Sequence, residues 1–245
     1  MIRGIRRAVR TRKSVPLIFA NQLLGDFRKS ASRRSYSYRF YRLLIDSVGT
    51  IVILAKWRVA GLSTRDVPFF QDRYSLLQTA ASRAEGGLWL EFGVYRGDSL
   101  NRIAALTNHR VFGFDSFRGL PSNYSPKFPT GAFSTGGVLP RVRDNVTLVS
   151  GWFEDTLPDF LRQRRGFSVS FLHVDCDLYA SAKFVLDCLA KGFSRGTVIV
   201  FDEFCTPMPD DEARAFREVV KSRGFAFTYL GCSINGSVAV EITSA

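Results

Sequence analysis

Two apolar runs in the second half of the chain end in acids. SVSFL at 168–172 continues as HVDCDLY, which sets Asp175 and Asp177 two residues apart, and TVIV at 197–200 runs into FDEF, with Asp202 beside Glu203. Carboxylates grouped in this way can hold a hard cation, accept a proton from a hydroxyl, or cap the helix that follows. Asp177 directly precedes a helical segment, so the cap is its first reading and contact with a substrate its second. Tyr179 either lines a substrate pocket or packs on the sheet. Strand alternation puts His173 on the same face as Asp175 and Leu172 with Val174 on the other. His173 is thus a candidate spare base or support behind Asp175, although a satisfied core histidine is its first reading.

The elements that must position these acids follow from periodicity. A helix is expected from Phe69 onward in FFQDRYSLLQTAASRA. Strands are expected at 88–93, 110–115, 145–150, 168–175 and 196–202, and helices at 98–108, 156–165, 178–191 and 210–224. FAFTYLG and SVAVEIT close the chain as two strands joined by a short loop, a pairing that adds an antiparallel member. Strands separated by helices predict an α/β fold with a mostly parallel sheet covered on both faces. Ligands of such sheets sit beyond the carboxyl ends of the strands, so residues at those ends are the candidates.

The first strand delivers Glu91, then Gly93, Tyr95 and Gly97, and Ser99 on the next helix. Glycines let the backbone turn and approach a ligand, and the helix N-terminus offers free N–H groups to an anion. The second strand ends in Asp115, followed by Ser116, at the distance from the glycine turn where nucleoside-binding folds hold ribose. The dinucleotide fingerprint G-x-G-x-x-G is broken by Tyr95, which favours a single nucleoside over NAD. After the third strand, Trp152 and Phe153 stand next to Glu154 and Asp155. This set suits an adenine ring and its amine, or else a helix capped by Asp155 with Trp152 in the core.

Of the 245 residues 46% are apolar and 23% charged, an ordinary globular composition. The net charge of +12 is concentrated: residues 1–65 hold 15 Lys and Arg against Asp26 and Asp46, which leaves the remainder close to neutral. Within this arm the apolar stretch 43–55 is too short for a membrane span of about 20 residues. It reads as a buried helix behind a basic tail, or as a segment lying on an anionic membrane surface. The arm's Arg- and Ser-rich composition also resembles an organellar targeting peptide. No recognised nucleic-acid-binding motif accompanies the charge. Four cysteines without a CxxC pair read as reduced thiols, and with two histidines they form no zinc motif.

The blocks ExGVxxGxS (91–99), FDSFRGLP (114–121), GWFEDTLP (151–158), HVDCDLY and VIVFDEF, in this order, resemble the macrocin O-methyltransferase (TylF-like) family of S-adenosylmethionine-dependent enzymes. The resemblance covers about residues 70–245. It implies a class I methyltransferase (Rossmann-like) fold with seven strands in the order 3-2-1-4-5-7-6, the last antiparallel. It also implies methylation of a sugar or glycoside hydroxyl with Mg²⁺ or another divalent cation. On this chain it assigns Glu91, Gly93, Tyr95, Gly97 and Ser99 to the methionine part of the cofactor, Asp115 and Ser116 to the ribose, and Phe153, Glu154 and Asp155 to the adenine. The metal set becomes Asp175, Asp202 and Glu203, with Asp175 also the proton acceptor. Members often carry Asp-Asp-Tyr where this chain has Asp202, Glu203 and Phe204.

The expected organisation is a basic extension over 1–65 and a catalytic domain over 66–245, cytoplasmic and with a peripheral membrane contact through the arm. Homo-oligomerisation is left open. Two other classes compete: a nicotinamide-dependent oxidoreductase, and a non-catalytic membrane-surface protein with a vestigial cofactor site.

Overall fold

A computed structural model of the chain describes residues 67–206 and 211–245, and the unit Phe70–Ala245 is treated by itself. The basic arm, its apolar stretch and the expected membrane contact lie outside the described residues. Among the described residues no helix is long and apolar enough to cross a membrane.

The elements run β1 (Phe69–Phe70), α1 (Arg73–Ala81), β2 (Leu88–Phe92), α2 (Asp98–Ala105), β3 (Val111–Asp115), β4 (Val146–Ser150), α3 (Phe153–Arg162), β5 (Val169–Val174), α4 (Tyr179–Leu189), β6 (Val198–Phe201), α5 (Asp211–Arg223), β7 (Ala226–Ser233) and β8 (Val238–Ser244). One sheet contains all eight strands in the order β1-β7-β8-β6-β5-β2-β3-β4. This corrects the expected count of seven and the order stated for it. The added member is the two-residue β1 beside β7. It arises because the helix expected from Phe69 starts only at Arg73, where Asp72 caps it by accepting from Tyr74 and Ser75 N–H. Without β1, the seven longer strands follow the relative order 3-2-1-4-5-7-6. β8 is antiparallel to both β6 and β7, and the pairs among β2, β3, β4, β5 and β6 are parallel.

Alternation along the strands divides the core. Trp89, Val111, Phe171, Val198, Val200 and Ala239 pack with Leu76, Leu77 and Ala80 of α1 and with Leu100, Ile103 and Ala104 of α2. From the opposite face Phe114 meets Phe160 of α3 and Phe201 meets Phe216 of α5, in edge-on or tilted contacts near 5 Å. Each such fully buried side chain contributes about 1.5–3 kcal/mol relative to exposure. The same parity puts Glu91, His173, Asp175 and Asp202 on the α1–α2 face. Beyond Asp115 the chain leaves regular structure until Val146, as expected, and Leu120 and Tyr124 of this loop pack with Leu178, which follows β5.

Candidate functional site

A cavity of about 330 Å³ opens beyond the carboxyl ends of β2, β3, β5 and β6. That size lies in the usual range for small-molecule pockets, roughly 300–1,000 Å³. Gly93, Tyr95, Ser99, Asp115, Ser116, Phe153 and Glu154 line it, together with Asp175, Asp177, Asp202 and Glu203. Eleven of the residues singled out in the sequence thus share one cavity.

The glycine turn is built by close approach. Gly93 has φ +93°, and a Cβ there would lie 1.7 Å from the Asp175 carbonyl oxygen. Only hydrogen fits, so β2 and β5 come close enough for Asp175 N–H to donate to Phe92 O at 2.9 Å. Asp115 tightens the same turn. Its Oδ2 accepts from Val94 N–H and Tyr95 N–H at 2.8 and 2.7 Å, and its Oδ1 from Phe117 N–H at 2.6 Å. The carboxylate therefore fixes the backbone that frames the cavity while also lining it.

Several assignments change. Glu91 does not line the cavity: it is fully buried, and its Oε1 lies 2.7 Å from His173 Nδ1. His173 is itself 3% exposed and sits behind the acids, in agreement with the core reading. Gly97 and Asp155 are also absent from the lining. Gly97 serves as the left-handed N-cap of α2, and Asp155 lies inside the first turn of α3, whose N-cap is Trp152. The cap assigned to Asp155 is thereby overturned, because α3 starts three residues earlier than expected.

Asp177 does not cap α4 either. The N-cap is Leu178, without a side-chain bond, and Tyr179 N–H instead finds Asp211 Oδ2 of α5 at 3.2 Å. With φ +61°, Asp177 is part of the cavity wall. Tyr179 leaves the site, its hydroxyl donating to Glu218 at 2.6 Å. The aromatic ring is drawn to the α5 surface, where Arg214 stacks 4.1 Å above it.

The acids crowd one another. Burial, reinforced by Asp202, Glu212 and Asp177, pushes the Asp175 carboxyl well above the usual range. Burial with Glu203 and Asp202 raises Asp177 to about 7. Glu212 is fully buried, and burial again pushes its carboxyl up. Its Oε1 accepts from Cys176 N–H at 3.2 Å and its Oε2 from Glu203 N–H at 3.1 Å. One carboxylate of α5 thus joins the residues that directly follow Asp175 and Asp202. Neither Glu212 nor Arg73 nor Tyr124 was anticipated. Glu212 reads as an ordinary helix acid, Arg73 as a helix start, and Tyr124 lies in a loop without periodicity.

Of the expected metal set, the structure groups Asp175 and Asp202 with His173. Ligand atoms of His173, Asp175 and Asp202 all lie within 4.8 Å of one another, whereas Glu203 accepts the hydroxyl of Tyr124. Two carboxylates and an imidazole in a strongly negative pocket fit a divalent cation. The nitrogen donor suits Mn²⁺ or a neighbouring transition metal at least as well as Mg²⁺. Arg73 reaches the same group, with Nη1 2.7 Å from Asp202 Oδ2, and Ser237 Oγ donates to Asp202 Oδ1 at 3.2 Å. The rest of the lining, with its open helix N-terminus at Asp98 and Ser99, the Asp115 carboxylate and the Phe153 ring, fits an amino-acid-bearing nucleoside.

Residues 90–204 match the model of a methyltransferase domain. Solved structures similar to this chain include CalS11, a calicheamicin methyltransferase, with 23% identity and TM-score 0.55 over 69% of this chain and 76% of that one. The O-methyltransferase NovP is similar at 21% identity and TM-score 0.53 over 70% and 79%. The fold is the Rossmann-like fold of a methyltransferase. Among curated proteins, the 8-demethyl-8-(2,3-dimethoxy-alpha-L-rhamnosyl)-tetracenomycin-C 4'-O-methyltransferase of Streptomyces olivaceus is 27% identical over 58% of this chain and 62% of its own length. Mycinamicin III 3''-O-methyltransferase of Micromonospora griseorubida is 25% identical over 53% and 59%. The chain spans about three fifths of the curated relatives it matches.

Proposed function

We propose that residues 66–245 transfer a methyl group from S-adenosylmethionine to a hydroxyl oxygen of a sugar or glycoside, in the manner of the macrocin (TylF-like) O-methyltransferases. The observation that carries this reading is the one cavity lined by the glycine turn and Asp115 together with Asp175, Asp177 and Asp202. The methyltransferase-domain match over 90–204 supports it, and so do two relatives named as O-methyltransferases of sugar-bearing natural products. The same match weighs against the nicotinamide reading. The acceptor class rests on what those relatives are named for. A cytoplasmic location, and contact of residues 1–65 with an anionic membrane surface, belong to the same proposal.

In this reading Tyr95, Ser99, Asp115, Phe153 and Glu154 bind and orient the methyl donor, which supplies an already activated sulfonium carbon. The difficult partner is the neutral alcohol. Asp175 and Asp202, with His173 beside them, would hold a divalent cation, which would supply Lewis acidity to lower the pKa of the acceptor hydroxyl. Asp175 takes the hydroxyl proton on a carboxylate whose basicity is increased by burial and by Asp202. His173 is held through Nδ1 by Glu91 and groups with Asp175 and Asp202. Leu120, Pro121 and Phe133 give the cavity its apolar wall, suited to the face of a glycoside. Orientation of the hydroxyl in line with the methyl and sulfur accounts for much of the rate.

The test is incubation of the full chain with methyl-labelled S-adenosylmethionine and a panel of deoxysugar glycosides. Label in a glycoside, lost with Asp175→Asn and with EDTA, is the expected result. No transfer to any glycoside, with transfer to a non-sugar hydroxyl instead, would overturn the acceptor class.

A further inference from the structure

The acid cluster already carries a cation of its own. Arg73 stands on the first turn of α1, on the sheet face that Asp175 and Asp202 share. Its Nη1 lies 2.7 Å from Asp202 Oδ2, and its Nη2 donates to the Tyr74 hydroxyl at 3.2 Å. The guanidinium lines the same cavity as Asp175, Asp177 and Glu203. Burial is the largest single influence and works to discharge this group, yet the Asp202 carboxylate, the Tyr74 hydroxyl and Asp175 together outweigh it and hold the pKa above the ordinary value. Asp202 is thereby engaged on both oxygens, by Arg73 on Oδ2 and by Ser237 on Oδ1.

A divalent cation on Asp175 and Asp202 would meet this guanidinium at short range. Like charges at such distances, in a partly dry pocket, repel by far more than they do in water. Arginine cannot relieve the conflict by losing its proton. It can relieve it by swinging away, because its side chain is 37% exposed while that of Asp202 is 14% exposed. The geometry points to Arg73 as the resident counter-cation of the acidic site, displaced from Asp202 when a divalent cation binds, so that Arg73 sets the cation affinity of the pocket. The inference rests on the methyl-transfer reading only for the presence of a cation.

Two consequences follow from linkage. Removing the guanidinium frees Asp202 for the metal, and it also leaves the carboxylates unneutralised in the metal-free protein. The experiment titrates Mn²⁺ alone into the EDTA-stripped, dialysed full chain, with free Mn²⁺ followed by electron paramagnetic resonance and thermal melts run in parallel. Arg73→Met is expected to bind Mn²⁺ about tenfold more tightly than the unsubstituted chain, to melt lower without metal, and to gain more in Tm from Mn²⁺. Arg73→Lys, which keeps the charge, is expected to stay near the unsubstituted affinity, and Asp202→Asn to bind weakly in either background. If Arg73→Met fails to fold, Arg73→Gln serves in its place. Equal or weaker Mn²⁺ binding after loss of the guanidinium would overturn the inference, as would absence of Mn²⁺ binding in every variant. Binding of S-adenosylmethionine by these same proteins is scored separately, so the methyl-transfer reading can stand while this one falls.

Discussion

Glu91 and His173 face each other on the adjacent parallel strands β2 and β5, their side chains joined at 2.7 Å, and neither is reached by solvent. The second oxygen of Glu91 has no hydrogen-bond partner. His173→Ala would therefore strand a whole carboxyl group in the core, and a cost of about 3 kcal/mol is expected. Glu91→Gln keeps an acceptor for the ring, and its expected cost is below about 1 kcal/mol. Urea unfolding at unchanged m-value measures both. Equal losses would show that the pair is not held as described.

Gly93 tests the close approach of β2 and β5. A methyl group there would collide with the Asp175 carbonyl, and φ +93° is unfavourable for any L-residue. Gly93→Ala is expected to lower stability by on the order of 3 kcal/mol and to impair any ligand binding beside Asp175. A neutral effect in denaturant melts would contradict the packing of the two strand ends.

Much of this arrangement was legible because it rests on period and spacing. The strands that carry Glu91, Asp115, Asp175 and Asp202 stand where alternation and the apolar runs put them, and parity had already set His173 beside Asp175. What escaped are relationships between distant segments. Asp177 looks like the cap of α4 until Asp211, 32 residues beyond Tyr179, takes the Tyr179 N–H. Nothing near Glu203 in the sequence shows that Tyr124, 79 residues earlier, donates to it. Arg73 and Glu212 sit in helix first turns whose local sequence is ordinary, and only the sheet brings them to the acids.

Glu212 offers a direct test of that tertiary wiring. Its two oxygens each receive a backbone N–H, from Cys176 and Glu203. Glu212→Gln must turn an amide donor toward one of them, leaving an N–H without an acceptor at a cost of about 1–3 kcal/mol. Expected with it is a loosened geometry of both acid-bearing ends, read as weaker Mn²⁺ binding with S-adenosylmethionine affinity retained. A fall in stability alone, with Mn²⁺ binding untouched, would reduce Glu212 to a structural role.

The raised carboxyls have a consequence for pH. Asp177 titrates at about 7 in the fold and near 3.9 when unfolded. The folded state thus favours its protonated form. Stability from this group is fully present below about pH 4 and is lost as pH rises through about 7. In EDTA the Tm is expected to fall between about pH 4 and 7 and to level off above, and Asp177→Asn to flatten that slope, by an amount on the order of a few kcal/mol in stability. An Asn variant with an unchanged slope would remove Asp177 as the source.

The central claim is that the cavity beyond β2, β3, β5 and β6 receives S-adenosylmethionine. Isothermal titration of S-adenosylmethionine into the folded full chain tests it most directly, with Asp115→Ala alongside. One-to-one saturable binding, weakened at least tenfold by Asp115→Ala, is the predicted result. A cooperatively folded chain that gives no binding heat and no shift in Tm with S-adenosylmethionine would contradict the account.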